Sequence, residues 1–439
     1  MTTILSLDSQ KNGTYNVVMI KRKILPGLEE HLSSDQMTII TGPRQVGKTY
    51  LMRFMREKLE EEGEKTIWLN LDNDEDATRF TSQAALVSYI ELQAGKVRAF
   101  VFIDEIQRKE NAGLFLKGIF DMKTPYKFNI SGSGSLELKA KIPESMAGRK
   151  QIFVVDPISF EEFVNFKTSY KYEDKLKDFF ELEKERGERL LSEYMVFGGY
   201  PRVVLAETTS LKQGEMQEIY KSFIDRDIRD LLHLEKTESL TNLLKIIASQ
   251  IGSLVNMTEL ASTVDIDEKT SKRYLWYLEQ TFVLKRMTPY YRNTRKEITK
   301  APVYYFIDNG LRNWLLGLFG LAQIPVSVSG HLFENIIFNT LRPQFNLTPI
   351  QIHFWRTRDR AEVDFVLEAG LEVVPIEAKH TKMRKPEVTR SFRSFLLKYK
   401  PKKGYMVHLG ERFEIEVDST KVAILPFFDL ITGKFDIWV

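Results

Sequence analysis

Residues 37–49 read MTIITGPRQVGKT, an apolar strand-length run that ends in a glycine-bounded loop closing on Lys48 and Thr49. The next residues, YLMRFMREKL, space their apolar positions as a helix does. Strand, loop and helix in that order are what a phosphate-binding loop requires. Its glycines let backbone N–H groups turn inward on an anion, and the helix N-terminus adds its positive end. The pattern predicts that Gly42, Pro43, Arg44, Gln45, Val46, Gly47, Lys48, Thr49 and Tyr50 surround the phosphates of ATP. Lys48 is expected to reach the β- and γ-phosphates, and Thr49 to place its hydroxyl on Mg²⁺.

A second run fits the first. Residues 99–105 read AFVFIDE, an unbroken apolar strand ending in two carboxylates. Asp104 is expected to hold the same Mg²⁺ beside Thr49, and Glu105 to polarise an attacking water as catalytic base, with Lys48 as the catalytic cation. The other reading of paired carboxylates at a strand end is a helix cap. Further apolar runs at 66–71, 127–131 and 151–155 alternate with polar helical stretches, which predicts a parallel sheet with crossover helices.

The whole chain sets wider bounds. At 439 residues it exceeds one compact core, so several domains are expected. Its 43% hydrophobic and 28% charged residues are ordinary for a globular protein. The net charge of +3 neither requires nor excludes a nucleic-acid partner, because a local basic face can hide in a neutral average. Absence of cysteine rules out disulfides and thiolate sites and suits a cytoplasmic location. The most apolar run, 314–328, is too short for a bilayer span and contains Gln323 and Pro325, so no membrane partner is expected.

Five separate motifs carry a resemblance: GPRQVGKT at 42–49, DEIQR at 104–108, SGS at 131–133, AGR at 147–149 and GGYP at 198–201. Together they resemble a prokaryotic group of AAA-type ATPases that carries a nuclease-like C-terminal domain. The resemblance implies that Ser133 senses the γ-phosphate. It makes Arg149 a candidate for an arginine reaching phosphate, in cis or from a neighbouring copy of a homo-oligomer, with Arg226 as a second candidate. A lid or surface salt bridge is the other reading of each arginine.

The expected fold is α/β. An N-terminal segment (1–35) precedes a P-loop parallel-sheet core (36–156), a charged helical lid (157–236), a winged helix (237–315) and a C-terminal α/β restriction-nuclease-like domain (316–439). In the winged helix, Lys269, Lys272 and Arg273 share one side of the second helix, and Arg292, Arg295, Lys296 and Lys300 load the wing. That arrangement suits DNA, or else a rigid connector between domains. Trp276, Tyr277 and Phe282 are expected in the core from their helical spacing.

In the C-terminal region Asp364 sits in AEVDFVL and Glu377 and Lys379 sit in VPIEAK. Adjacent strands would set the two carboxylates side by side, able to hold a second divalent ion, Mg²⁺ or Mn²⁺. Lys379 would orient water or stabilise phosphorane charge, and Glu334 would add a carboxylate from a helix. These four residues resemble a PD-(D/E)xK nuclease site. A scaffold that keeps them only in salt bridges fits the same pattern. Residues 379–403 hold ten Lys and Arg against one acid, Glu387, a face suited to a DNA or RNA backbone or to water. Three roles remain open: a nucleotide-gated nuclease, a switch that binds nucleic acid or protein without cutting, and an oligomeric ATP-driven remodeller.

Overall fold

The structure, a computed structural model, describes residues 20–133, 146–230, 237–292, 297, 300–346 and 348–432. Its first unit is a five-stranded sheet of β1 (Met37–Gly42), β2 (Thr66–Asn70), β3 (Ala99–Asp104), β4 (Tyr126–Ser133) and β5 (Lys150–Val154). The strands run parallel in the order β2-β3-β4-β1-β5. Every residue of β1 and β3 is buried, because helices cover both faces. Alternation divides the faces: Ile40, Phe100 and Phe102 pack with Leu51, Met52 and Met55 of helix Lys48–Glu61. Ile39, Val101 and Ile103 pack with Leu86, Ile90 and Leu116 on the other side. The order sets β4 between the phosphate-loop strand and the carboxylate strand.

A helical segment follows, opened by a capping box in which Ser159 and Glu162 satisfy each other's backbone N–H groups. Its longer helices are Lys184–Phe197 and Thr209–Ser222. Next come helices Glu238–Ser249, Met257–Thr263 and Glu268–Gln280, then an antiparallel pair, β6 (Leu284–Met287) and β7 (Val303–Phe306). The acidic turn before the third helix supplies its cap, since Thr270 N donates to Asp267.

Lys269, Lys272 and Arg273 are exposed on that helix, and Trp276 joins them at 43% exposure, against the expectation of a core position. The helix buries Ser271, Tyr274, Leu275 and Leu278, so Trp276, spaced three and four residues from the cations, falls on their side. Phe282 is buried as expected. Arg295 and Lys296, and the side chain of Arg226, lie outside the described residues.

The C-terminal unit packs helices Val326–Phe345 and Arg390–Tyr399 on a six-stranded sheet. Its strands are β8 (Gln351–Arg356), β9 (Glu362–Ala369), β10 (Glu372–Ala378), β11 (Lys403–His408), β12 (Phe413–Val417) and β13 (Thr420–Pro426). The order is β12-β13-β11-β10-β9-β8. β8, β9 and β10 form an antiparallel meander, and helix 390–399 crosses over to the parallel β11. β13 and β12 extend the sheet beyond β11, and FEIEV alternates as a half-buried strand should. Among the described residues no helix is long and apolar enough to cross a membrane.

Candidate functional site: the phosphate loop and the C-terminal acidic cluster

The loop after β1 is held from three directions. Gly42 has φ +148°, and a Cβ there would lie 2.1 Å from the Val155 carbonyl oxygen. Only glycine fits where β1 and the chain leaving β5 approach so closely. Gly47, at φ +94°, opens the helix that carries Lys48 and Thr49. The Lys48 ammonium is buried and donates to the carbonyls of Gly42 (3.1 Å) and Pro43 (2.6 Å). The third hold is Arg22, which no motif or local period in the chain marks. Its guanidinium, 9% exposed, donates to Val46 O (2.9 Å), to Asp156 O (2.6 Å) and to Glu162 Oε1 (3.2 Å). One planar cation thereby ties the loop to the chain after β5 and to the first lid helix.

At the end of β3, Asp104 is buried and accepts from the Ser131 hydroxyl and from Glu105 N. Glu105 takes a left-handed conformation at φ +57°, and Gln107 donates to its carboxylate. Ser131 supplies the described hydroxyl on Asp104. Ser133 pairs opposite Gly42, and its side chain lies outside the described residues.

Arg149 sits elsewhere. It immediately precedes β5, its carbonyl accepts from Met37 N at the start of β1, and its guanidinium pairs with Asp121 at 3.0 Å. The phosphate loop leaves β1 at the other end, a strand length of about 16 Å away at ~3.3 Å per residue. In this arrangement Arg149 does not reach the loop of its own chain, and its pairing with Asp121 is the surface salt bridge that was the other reading of it. Arg44 and Thr49 are half-buried and Tyr50 is exposed at the mouth of the loop.

The loop touches the lid through Gln45, whose amide donates to the carbonyl of Glu218 on helix 209–222. The GGYP turn proves to be a joint. Gly199 N and Leu311 N donate to the two oxygens of Asp308, at 2.7 and 2.8 Å, and Ile158 N donates to Gly199 O. A Cβ at Gly198 would lie 2.4 Å from that carboxylate. Asn313 donates to Met195 O and Val196 O, and the buried Arg312 donates to Ala248 O. Burial pushes the Asp308 carboxyl up to about 6, its backbone N–H partners notwithstanding. This segment locks the lid to the three-helix unit.

In the C-terminal unit Asp364, Glu377, Lys379 and Glu334 do converge. β9 and β10 pair antiparallel, with Ile376 opposite Phe365. Lys379 Nζ bonds Glu377 Oε1 at 2.6 Å, Thr389 donates to Glu377 Oε2 at 2.8 Å, and Ala378 N donates to Asp364 Oδ2 at 2.7 Å. Burial, then the Glu334 and Glu377 carboxylates, hold the Asp364 carboxyl well above the usual carboxylate range. Burial works against the Lys379 ammonium, and Glu377, Asp364 and Glu334 more than reverse it, so its pKa stands above the ordinary value.

Two further members escaped the sequence reading. Glu362 is two residues before Asp364, and its carboxyl is raised by burial and by Glu334. His331 Nδ1 lies 3.4 Å from Glu334, one helical turn away. Among the described residues, Glu334, Asp364 and Glu377 do not bring ligand oxygens within 4.8 Å of one another. Each Glu377 oxygen carries a hydrogen-bond partner, Lys379 on Oε1 and Thr389 on Oε2.

Residues 34–164 match the family model described as an AAA domain. Residues 188–322 and 329–428 each match a domain of unknown function (DUF8612 and DUF4143). The chain is 25% identical over 420 residues to an uncharacterized protein of Mycobacterium tuberculosis, covering 95% of this chain and 86% of the relative. It is 22% identical over 346 residues to one of Methanocaldococcus jannaschii, covering 77% and 74%. A solved structure of the replication initiator DnaA bound to AMPPCP and single-stranded DNA covers 60% of this chain and 90% of its own. It does so at 15% identity and a TM-score of 0.28. Sheet, loop and family match together make the first unit an AAA-type P-loop domain that binds ATP.

Proposed function

We propose that the chain is a Mg²⁺-dependent ATPase working as a nucleotide switch, whose C-terminal domain binds nucleic acid without cutting it. The observation that carries the reading is the phosphate loop, which presents a buried lysine at its base and touches the lid at its crest. The donor set fits the ligand. Lys48 now rests on two carbonyls and would exchange them for β- and γ-phosphate oxygens. Thr49 and Asp104 are the residues that would hold Mg²⁺, which when bound supplies electrophilic assistance to phosphoryl transfer.

The chain's own part is orientation and proton transfer. Glu105, released from Gln107, would take the proton of the water that attacks the γ-phosphorus as the bond to the β–γ bridging oxygen breaks. Gln45 would report the filled loop to helix 209–222, and the Asp308 joint would carry that change to the three-helix unit. Assembly into a homo-oligomer is part of the proposal, and in it Arg149 would have to leave Asp121 to serve a neighbour's site.

The absence of cutting is proposed because Glu377 and Asp364 are satisfied by Lys379, Thr389 and a backbone N–H. Nucleic-acid binding is proposed from the exposed cations of the winged-helix-like unit and of helix 390–399, which presents Arg390, Arg393 and Lys398 to solvent. A nuclease is the second reading, favoured by the Asp364 carboxyl, which burial and then the Glu334 and Glu377 carboxylates hold above the usual range. The test measures ATP turnover, binding and cleavage of single- and double-stranded DNA and RNA with Mg²⁺ or Mn²⁺, with and without ATP. Lys48→Ala should lose turnover, and a folded Lys48→Ala protein with normal turnover would end the ATPase reading. Cleavage abolished by Asp364→Asn would replace the switch with the nuclease, and no binding at all would remove nucleic acid as the partner.

A further inference from the structure

A second cluster lies away from both sites, where the connection between β6 and β7 meets the edge of the C-terminal sheet. Phe354 N donates to Thr288 O at 3.2 Å and Tyr290 N donates to Phe354 O at 2.6 Å, so residues 288–290 cover the open side of β8. His353, on β8, is 2% exposed. Its Nδ1 is 3.1 Å from the Thr288 hydroxyl and 3.8 Å from Glu297 Oε1, and its Nε2 is 3.2 Å from Glu368 Oε2 on β9. Despite that proximity, Nε2 is buried without a hydrogen-bond partner, because the carboxylate is not aligned to accept from it. One ligand atom from each of Glu297, His353 and Glu368 falls within 4.8 Å of the others.

We infer that Glu297, His353 and Glu368 form a site for one divalent transition ion, with zinc the best fit. Imidazole and carboxylate without thiolate suit zinc, cobalt or manganese, and a third protein ligand leaves a position for water. Two carboxylates and a neutral imidazole balance the dipositive charge. Glu297 and Glu368 converge on one buried ring from different elements, where like charges repel unless a cation stands between them. With Nδ1 donating to the Thr288 hydroxyl, the Nε2 lone pair would be left for the ion, the supporting role an outer partner plays at metal sites. The ion would clasp the β6–β7 connection onto the C-terminal sheet, joining two units at the point where β8 would otherwise be an open edge. The site is independent of the ATPase reading.

The test uses the full chain stripped with chelator, without nucleotide, titrated with zinc chloride by calorimetry and with cobalt(II) by visible absorption. One ion per chain is expected, with cobalt giving ligand-field bands. Glu297→Gln and Glu368→Gln should each weaken zinc by at least ~10-fold. Both side chains are partly exposed, so neither change should unfold the chain. Asp364→Asn should leave the zinc affinity unchanged. No zinc bound, zinc affinity unaltered in both glutamine variants, or zinc lost in Asp364→Asn would each overturn the site. In the first case Glu297 and Glu368 only flank the His353 ring, and in the last the ion belongs to the acidic cluster.

Discussion

Arg22→Ala tests whether a single buried guanidinium sets the phosphate loop. The change removes three donors at once: those to Val46 O, Asp156 O and Glu162 Oε1. Glu162 keeps its contacts with Ser159 N and Lys23 N but is left as a buried carboxylate without its cation, at 7% side-chain exposure. Breaking a buried pair by removing one partner costs about 3–5 kcal/mol. The portion belonging to Val46 O bears on ATP. One charge-assisted hydrogen bond is worth about 1.5–3 kcal/mol, so a loop that must be reordered on binding should lose about 10- to 100-fold in affinity.

Lys23→Ala is the internal control. Its neighbouring ion pair to Glu161 has a lysine 62% exposed, and such a pair contributes about 0–1 kcal/mol. Urea denaturation and titration with a fluorescent ATP analogue read the two effects, and Arg22→Lys serves if the alanine variant does not fold. Lysine keeps the charge but cannot serve three divergent acceptors, so it should recover part of the stability and little of the affinity. Stability within 1 kcal/mol of wild type together with unchanged ATP affinity in Arg22→Ala would refute the reasoning.

Glu105→Gln should bind ATP normally and turn it over at least ~100-fold more slowly, the lower range of a general base's contribution, as read by phosphate release. Gly42→Ala should abolish ATP binding or folding, because its Cβ would sit 2.1 Å from the Val155 carbonyl, and a normal binding isotherm would contradict that close approach. Asp308 has a folded pKa near 6 against an ordinary 3.8, so the folded state binds that proton more tightly. Its contribution is fully present below about pH 4 and lost as pH rises to about 6, a fall of about 3 kcal/mol at 1.36 kcal/mol per unit. Denaturation at a series of pH values should show that component in wild type and not in Asp308→Asn.

The sequence by itself determined the local chemistry of the nucleotide site. A strand running into GPRQVGKT admits one loop geometry, because Gly42 and Gly47 take conformations that other residues adopt at a cost, and the apolar run of β3 delivers Asp104 and Glu105 to the sheet's end. It also set Asp364 and Glu377 on neighbouring strands, since a short hairpin fixes register. What it left undetermined were contacts between residues far apart in the chain. Arg22 reaches Glu162, Gly199 meets Asp308, and His353 meets Glu297 through packing that no local period encodes. Trp276 and Arg149 make the same point in reverse. Helical spacing gives a residue's face but not which face is buried, and a motif gives a residue type but not the end of the sheet on which it lands. Those choices belong to the tertiary structure, because burial and the meeting of distant side chains depend on how the elements stack around a common core.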